Sequence, residues 1–209
     1  IAKYADRLSV AAINGPEETV ISGDLEAVDD VLARLTEAGV TARRLDVSHA
    51  FHSHRLDPML DAFERRAAST IYAAPRLTLL SNVTGAAFSG TTRPDAAYWR
   101  RHARDAVRFS QCLETLRASG VTTLVEIGPH PTLVALAARM APAETWGTVA
   151  SLRRGRDDRR EMLTAATTLY ARGATVAWNA VLGGHGRRRA LPTYPFQRQR
   201  YWVESARIA

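Results

Sequence analysis

The chain has 209 residues, 46% of them hydrophobic, with a net charge of +7 at pH 7 and a single cysteine, Cys112. That length and apolar content suit one domain plus an appendage and exclude disorder throughout. One cysteine excludes a disulfide framework and any multi-cysteine zinc site, and with no apolar run of 18 residues the expectation is a cytoplasmic, membrane-free protein.

Taken in chain order, LSVAAI (8–13) and TVIS (19–22) read as strands around the turn Asn14-Gly15-Pro16. DLEAVDDVLARLTEAG follows as a helix, with Leu25, Val28, Val31, Leu32 and Leu35 on one face, Asp24 where a carboxylate favours the helix start, and Gly39 where a left-handed cap ends it. VTARRLDV (40–47) reads as a strand. The β-β-α-β order is that of a ferredoxin-like βαββαβ unit without its first strand and most of its first helix, which IAKYADR would continue. The expectation is therefore a partial small subdomain over residues 1–47.

From Leu56 a second helix places Leu56, Met59, Leu60 and Phe63 on one side, and RLTLLSNVTG (76–85) reads as a buried strand. AAYWRRHARD and VRFSQCLETLRASG read as helices, and VTTLVEIG as an apolar strand of parallel-sheet type. The loop Gly128-Pro129-His130-Pro131 then feeds the helix TLVALAARM, a strand-loop-helix crossover of the kind at which α/β proteins build sites. An α/β body over residues 48–143 is expected, making the chain α/β, or α+β overall.

After residue 143 the character changes. One helix passes through Met162, Leu163, Ala166 and Leu169, a Gly-rich run VLGGHGRRR follows, and the end LPTYPFQRQRYW has no helical period. Residues 144–209 are expected to be an extended linker. The basicity lies here: residues 1–150 carry 16 Lys and Arg against 17 Asp and Glu, residues 151–209 carry 12 against 4. Such runs are more often solvated faces or protein-contact surfaces than nucleic-acid sites, and the chain offers no recognition element for nucleic acid.

Three of the six histidines fall in Ser48-His49-Ala50-Phe51-His52-Ser53-His54, between the small unit and the next helix. Imidazoles are good zinc ligands, but spacings of 3 and 2 without a carboxylate pattern match no usual zinc site, and a polar surface loop is the plain alternative.

The segments LSVAAINGPEETVISGD, VSHAFHSHRLDPML, SNVTG, YWRRHARDAVRF, VEIGPHPTL and LPTYPFQRQRYW, in that order, resemble the acyltransferase domains of modular type I polyketide synthases. These are relatives of malonyl-CoA:acyl-carrier-protein transacylase. The resemblance implies the C-terminal part of an α/β-hydrolase-like acyltransferase body with a ferredoxin-like subdomain, then the post-acyltransferase linker. It implies a Ser/His ping-pong enzyme moving malonyl from malonyl-CoA to the phosphopantetheine thiol of an acyl carrier protein, with no cofactor or metal bound by the domain itself. His52 aligns with the catalytic histidine, the general base and acid, and the backbone carbonyl of His102 with the group that orients it. His49, Ala50 and Phe51 complete HAFH, which in the family goes with malonyl rather than methylmalonyl, the Phe51 ring narrowing the space beside the α-carbon. Tyr194, Phe196, Tyr201 and Trp202 would dock the linker against the ketosynthase and other domains of the synthase. The family's G-H-S-x-G nucleophile elbow is not in this chain, so the expectation is a fragment that is inactive by itself. An interdomain docking and linker module is the competing expectation.

Overall fold

The computed structural model describes residues 2–90, 92–140, 146–184 and 189–202. It divides into two units, Ile1–Thr168 and Leu169–Ala209.

The first unit opens on a 3-10 turn and an antiparallel pair, β1 (Leu8–Ile13) and β2 (Thr19–Gly23), with a register irregularity between Val10 and Ala12. Leu8 and Ala11 are the buried residues of LSVAAI, at 3% and 5% exposure; a spacing of three does not keep to one face of a regular strand, and the register irregularity falls beside Ala11. Gly23, at φ 151, ends β2 against the Arg7 carbonyl, where a side chain would collide with the backbone. Helix α1 (Leu25–Glu37) covers the pair with Ala27 fully buried, and Gly39 ends it in the left-handed conformation.

Residues 40–47 are irregular, which corrects the expected strand. A strand needs a neighbour for its N–H and C=O groups, and among the described residues the sheet here holds β1 and β2 alone. Val40, Leu45 and Val47 are exposed. What joins the sheet instead is a single parallel bridge from Ala12 to Val107: Ile13 N–H donates to Val107 O at 2.8 Å and Val107 N–H to Ala11 O at 2.9 Å. The segment at Val107 is thus fastened to β1.

A 3-10 turn over His54–Leu56 leads into α2 (Asp57–Ala68), which packs on α3 (Ala96–Arg104). Leu56, Leu60 and Tyr98 are buried in the seam, and Arg100 to Asp61 (2.5 Å) and Arg104 to Asp57 (2.6 Å) lace its edge. Asp95 starts α3 by accepting the Tyr98 N–H at 2.9 Å. Of the expected strand 76–85 the structure keeps an isolated bridge, Leu80 to Ala87, within the turn back to Phe88, and Leu77 is exposed; among the described residues no strand pairs with the rest of it.

Helix α4 (Phe109–Ala118) buries Cys112 and Leu113, and β3 (Thr123–Glu126) pairs in parallel with β4 (Gly147–Ala150) under α5 (Leu133–Met140). Strand β4 was not foreseen: GTVA falls where a linker was expected. The expected boundary at 143/144 lies outside the described residues. Helix α6 (Asp158–Ala171) follows, and the second unit continues through the short α7 (Trp178–Val181) into an extended stretch over 189–202. Part of the Gly-rich run, residues 185–188, is outside the described residues. Mixed α/β content is what the structure shows.

Candidate functional site

The histidine loop sits between the small layer and α2, and its turn is fixed from inside. Ser53 has no exposed surface; its Oγ donates to Ala50 O at 2.6 Å and accepts from the Arg55 N–H at 3.3 Å. That engaged hydroxyl is no nucleophile. His52, just before it, has φ 59, the one described non-glycine residue in the left-handed region. Such a conformation costs on the order of 1–2 kcal/mol and persists where neighbours over-determine it. The neighbours are on α3 and just past it: His52 N–H donates to Ala103 O at 3.3 Å, and His52 Nδ1 lies 2.9 Å from Asp105 O.

The last contact sets the chemistry. A carbonyl oxygen accepts only, so Nδ1 carries a proton, and in the neutral ring Nε2 is the nitrogen with the lone pair, without a protein partner among the described residues. A neutral imidazole with its Nδ1–H tied to backbone is a base held in one tautomer. The expected orienting group, the His102 carbonyl, is corrected to that of Asp105. His102 lies within α3, whereas Asp105 is its C-cap residue in extended conformation, and the next residues are held by Val107 on β1 and by Arg108 N–H on Asn82 O at 2.8 Å. A carbonyl past the helix end is free to face the loop.

The His102 ring does meet His52, edge to face at 6.0 Å between centroids, with Tyr98 and Trp99 on its other sides at 5.9 and 5.4 Å. Burial pushes its imidazole below the ordinary histidine value, and a charge on His52 would push it further. Both effects favour the neutral form of His102 beside His52.

The remaining loop residues diverge. His49 Nδ1 lies 2.8 Å from Ser48 Oγ, and its ring leans on Phe51 at 5.9 Å, with Phe51 56% exposed. Ala50 contributes its carbonyl to the Ser53 turn. His54 Nε2 lies 3.1 Å from Asp24 Oδ1. With the three imidazoles aimed at three separate partners, the loop does not gather ligands round one point, and among the described residues no three metal-ligating side chains converge. Buried Cys112, its thiol pushed up by burial and donating toward Ser81 O and Asn82 Oδ1, is not poised as a nucleophile.

At the strand-loop-helix crossover Glu126 takes the donors itself. Its Oε2 accepts from Leu133 and Val134 N–H, both at 2.9 Å, and its Oε1 from Thr132 N–H at 3.1 Å. The start of α5 is thus filled by a carboxylate, and His130 beside it is exposed. An open hollow lined by Asp157, Arg159, Arg160, Leu163, Thr164 and Thr167 contains none of the histidines. In the second unit Tyr194, Phe196, Tyr201 and Trp202 are exposed, and Tyr194 and Phe196 pack edge to face at 5.1 Å. Sequence reading missed Asp105, Ser53 and Asp24. Backbone carbonyls leave no mark in a sequence, though Asp24 carried one as a carboxylate closing the SGD run.

Residues 1–176 match the model of a family described as the acyl transferase domain. The chain is 42% identical over 203 residues to polyketide synthase GfsA of Streptomyces halstedii, covering 95% of this chain and 3% of that protein. It is also 42% identical over 205 residues to the phenolphthiocerol synthesis polyketide synthase type I Pks15/1 of Mycobacterium marinum, covering 97% of this chain and 10% of that one. Among solved structures it is similar to the acyltransferase domain from the second module of the salinomycin polyketide synthase, with 43% identity and a TM-score of 0.83. That match covers 93% of this chain and 46% of the other, so the chain spans less than half of the solved chain and a small part of each synthase.

Proposed function

The chain belongs to the acyl transferase domain family, in the branch found in modular type I polyketide synthases, and from that premise we propose that it supplies the base half of a malonyl-loading acyltransferase. In this reading residues 1–47 are part of a ferredoxin-like subdomain, residues 48–143 the C-terminal part of an α/β-hydrolase-like body, and residues 144–209 the linker. The nucleophilic serine lies outside this chain.

The observation that carries the reading is His52 Nδ1 on Asp105 O, which leaves Nε2 as the accepting nitrogen. Nε2 takes the proton of the serine hydroxyl as the serine oxygen bonds to the malonyl thioester carbon. The C–S bond then breaks, and the coenzyme A thiolate leaves with the proton from His52. In the second half-reaction Nε2 takes the proton of the carrier protein's phosphopantetheine thiol as its sulfur attacks the malonyl-serine ester, and returns it to the serine oxygen. The His102 ring lies edge to face against His52 at 6.0 Å, and Tyr98 and Trp99 pack on His102 in turn, which supports the imidazole's orientation.

Malonyl selection rests on HAFH. The His49 and Phe51 rings lean on each other in the loop that carries His52, and in this reading their volume disfavours an α-methyl group by about 1–3 kcal/mol, a bias of the size hydrophobic pockets give. A second reading, an interdomain docking module, is favoured by the exposed aromatics of the second unit, and it is compatible with the first: Tyr194, Phe196, Tyr201 and Trp202 would brace the domain against a ketosynthase.

Support for a missing half comes from the exposed apolar side chains Ile71 (97%), Leu77 (85%) and Ile127 (89%), which a packed partner would cover. The test is malonyl transfer to a carrier protein by this chain alone and by the intact domain, followed by mass spectrometry. The intact domain should load the carrier and this chain should not. Loading by this chain alone would refute its dependence on an outside serine.

A further inference from the structure

The left-handed His52 must be held from both sides. On the side before it, the Ser53 hydroxyl closes the turn back to Ala50. The side after it, His54 and Arg55, converges on one carboxylate that belongs to a different element. Asp24 stands at the N-cap position of α1, in extended conformation, yet its side chain makes no bond to the helix. Its Oδ1 accepts from Arg55 Nε at 2.6 Å and lies 3.1 Å from His54 Nε2, and its Oδ2 accepts from Arg7 Nε at 3.4 Å.

A side chain that caps most helices has here been turned outward, across 30 positions of sequence, onto the residues that follow the base. Its backbone is anchored independently: Asp24 N–H donates to Arg7 O at 2.9 Å, and Gly23 before it lies against the same strand end. The carboxylate is therefore a fixed post rather than a mobile partner. The Arg55 guanidinium holds its carboxyl below the ordinary value, so the post is charged throughout the working pH range.

We propose that Asp24 is a positioning residue for acyl transfer, clamping Arg55 and His54 so that the loop keeps His52 in its left-handed conformation with Nδ1 on Asp105 O. This rests on the reading of His52 as the base. Asp24 touches no reacting atom. It acts through the loop, and a displacement of the base by even about 1 Å lowers a proton-transfer rate steeply without changing how substrate binds.

The experiment uses the intact acyltransferase domain, with kcat and KM for malonyl-CoA read from carrier-protein loading and a thermal midpoint for each variant. Asp24→Asn and Arg55→Gln should each lower kcat by about 10-fold with KM within about twofold, the pattern of a group needed only in the transition state. The double variant should be no slower than the worse single, because both changes remove one shared contact. Arg7→Ala, which removes the Oδ2 partner and leaves the loop clamp, should leave kcat near wild type. An unchanged kcat in both Asp24→Asn and Arg55→Gln overturns the proposal, as does a loss that Arg7→Ala reproduces together with a lowered midpoint. If Asp24→Asn does not fold, Arg55→Gln decides by itself. His52→Ala separates the two levels: an inactive His52→Ala with wild-type kcat in both Asp24→Asn and Arg55→Gln sinks this inference alone, whereas a fully active His52→Ala sinks the reading beneath it.

Discussion

Replacing Glu126 with alanine removes the carboxylate that fills the start of α5, and its effect can be worked from the contacts. The two bonds on Oε2, both 2.9 Å, are the ones at stake, since Thr132 N–H also has His130 O at 2.9 Å as a partner. Losing a side-chain cap costs about 0.5–2 kcal/mol, and losing a negative charge at a helix start a further 0.3–1 kcal/mol or so. Leu133 is exposed enough for water to replace part of its bond. The net expectation is about 1–2 kcal/mol. For a domain of this size or larger, each kcal/mol moves the thermal midpoint by roughly 2–4 °C, so Glu126→Ala should lower it by about 2–8 °C. Glu126→Gln, keeping one acceptor without the charge, should lose about half as much. The assay is a thermal melt of the intact domain, with Glu114→Ala on the exposed face of α4 as the control. A Glu126→Ala midpoint equal to that of Glu114→Ala would refute the reasoning, because the carboxylate would then carry no cap.

Phe51→Ser should widen the space beside the substrate's α-carbon and raise methylmalonyl use relative to malonyl, by about 5- to 150-fold at the limits such pockets reach; an unchanged ratio in a two-donor competition assay would remove Phe51 from the pocket wall. His102 supplies a pH dependence. Its folded value is lowered by burial, so the stability it contributes is present above the ordinary histidine value of about 6.5 and is lost as pH falls through the folded value. The midpoint of the intact domain should therefore fall between about pH 7 and pH 5, less steeply in His102→Gln, and equal slopes in the two proteins would show that this imidazole is not the group responsible.

What could be read from the sequence was what neighbours in the chain decide. Strand β1 is a short apolar run closed by the turn Asn14-Gly15-Pro16, α3 carries Asp95 as its cap, and α4 runs out near Gly120 in the left-handed conformation, so each announces itself locally. Residues 40–47 and 76–79 carry the same kind of apolar pattern and are irregular, because a strand exists only with a paired neighbour: among the described residues no strand pairs with 40–47, and 76–79 has only the Phe88 N–H on Leu79 O at its end. Strand β4 was overlooked for the opposite reason: four residues with one buried valine, Val149, give no periodic signal, and the pairing with β3 alone makes them a strand. At the site, HAFHSH marked the loop, but which carbonyl faces Nδ1 depends on where α3 stops. That moved the contact from His102 to Asp105. Asp24 was read as a cap from its spacing, whereas its bonds run to Arg55 and His54, partners that no local rule connects to it.

The central claim, that His52 is the proton-transfer group, is tested most directly by malonyl loading of a carrier protein by the intact domain carrying His52→Ala or His54→Ala. The two residues share one loop, so a general loss of folding would depress both alike. His52→Ala should lower the rate by about 10²–10⁴-fold, the usual contribution of a positioned base. His54→Ala, which leaves the 2.6 Å bond from Arg55 to Asp24 in place, should cost far less. Full activity in His52→Ala with loss in His54→Ala would contradict the account and move the base two residues along the loop.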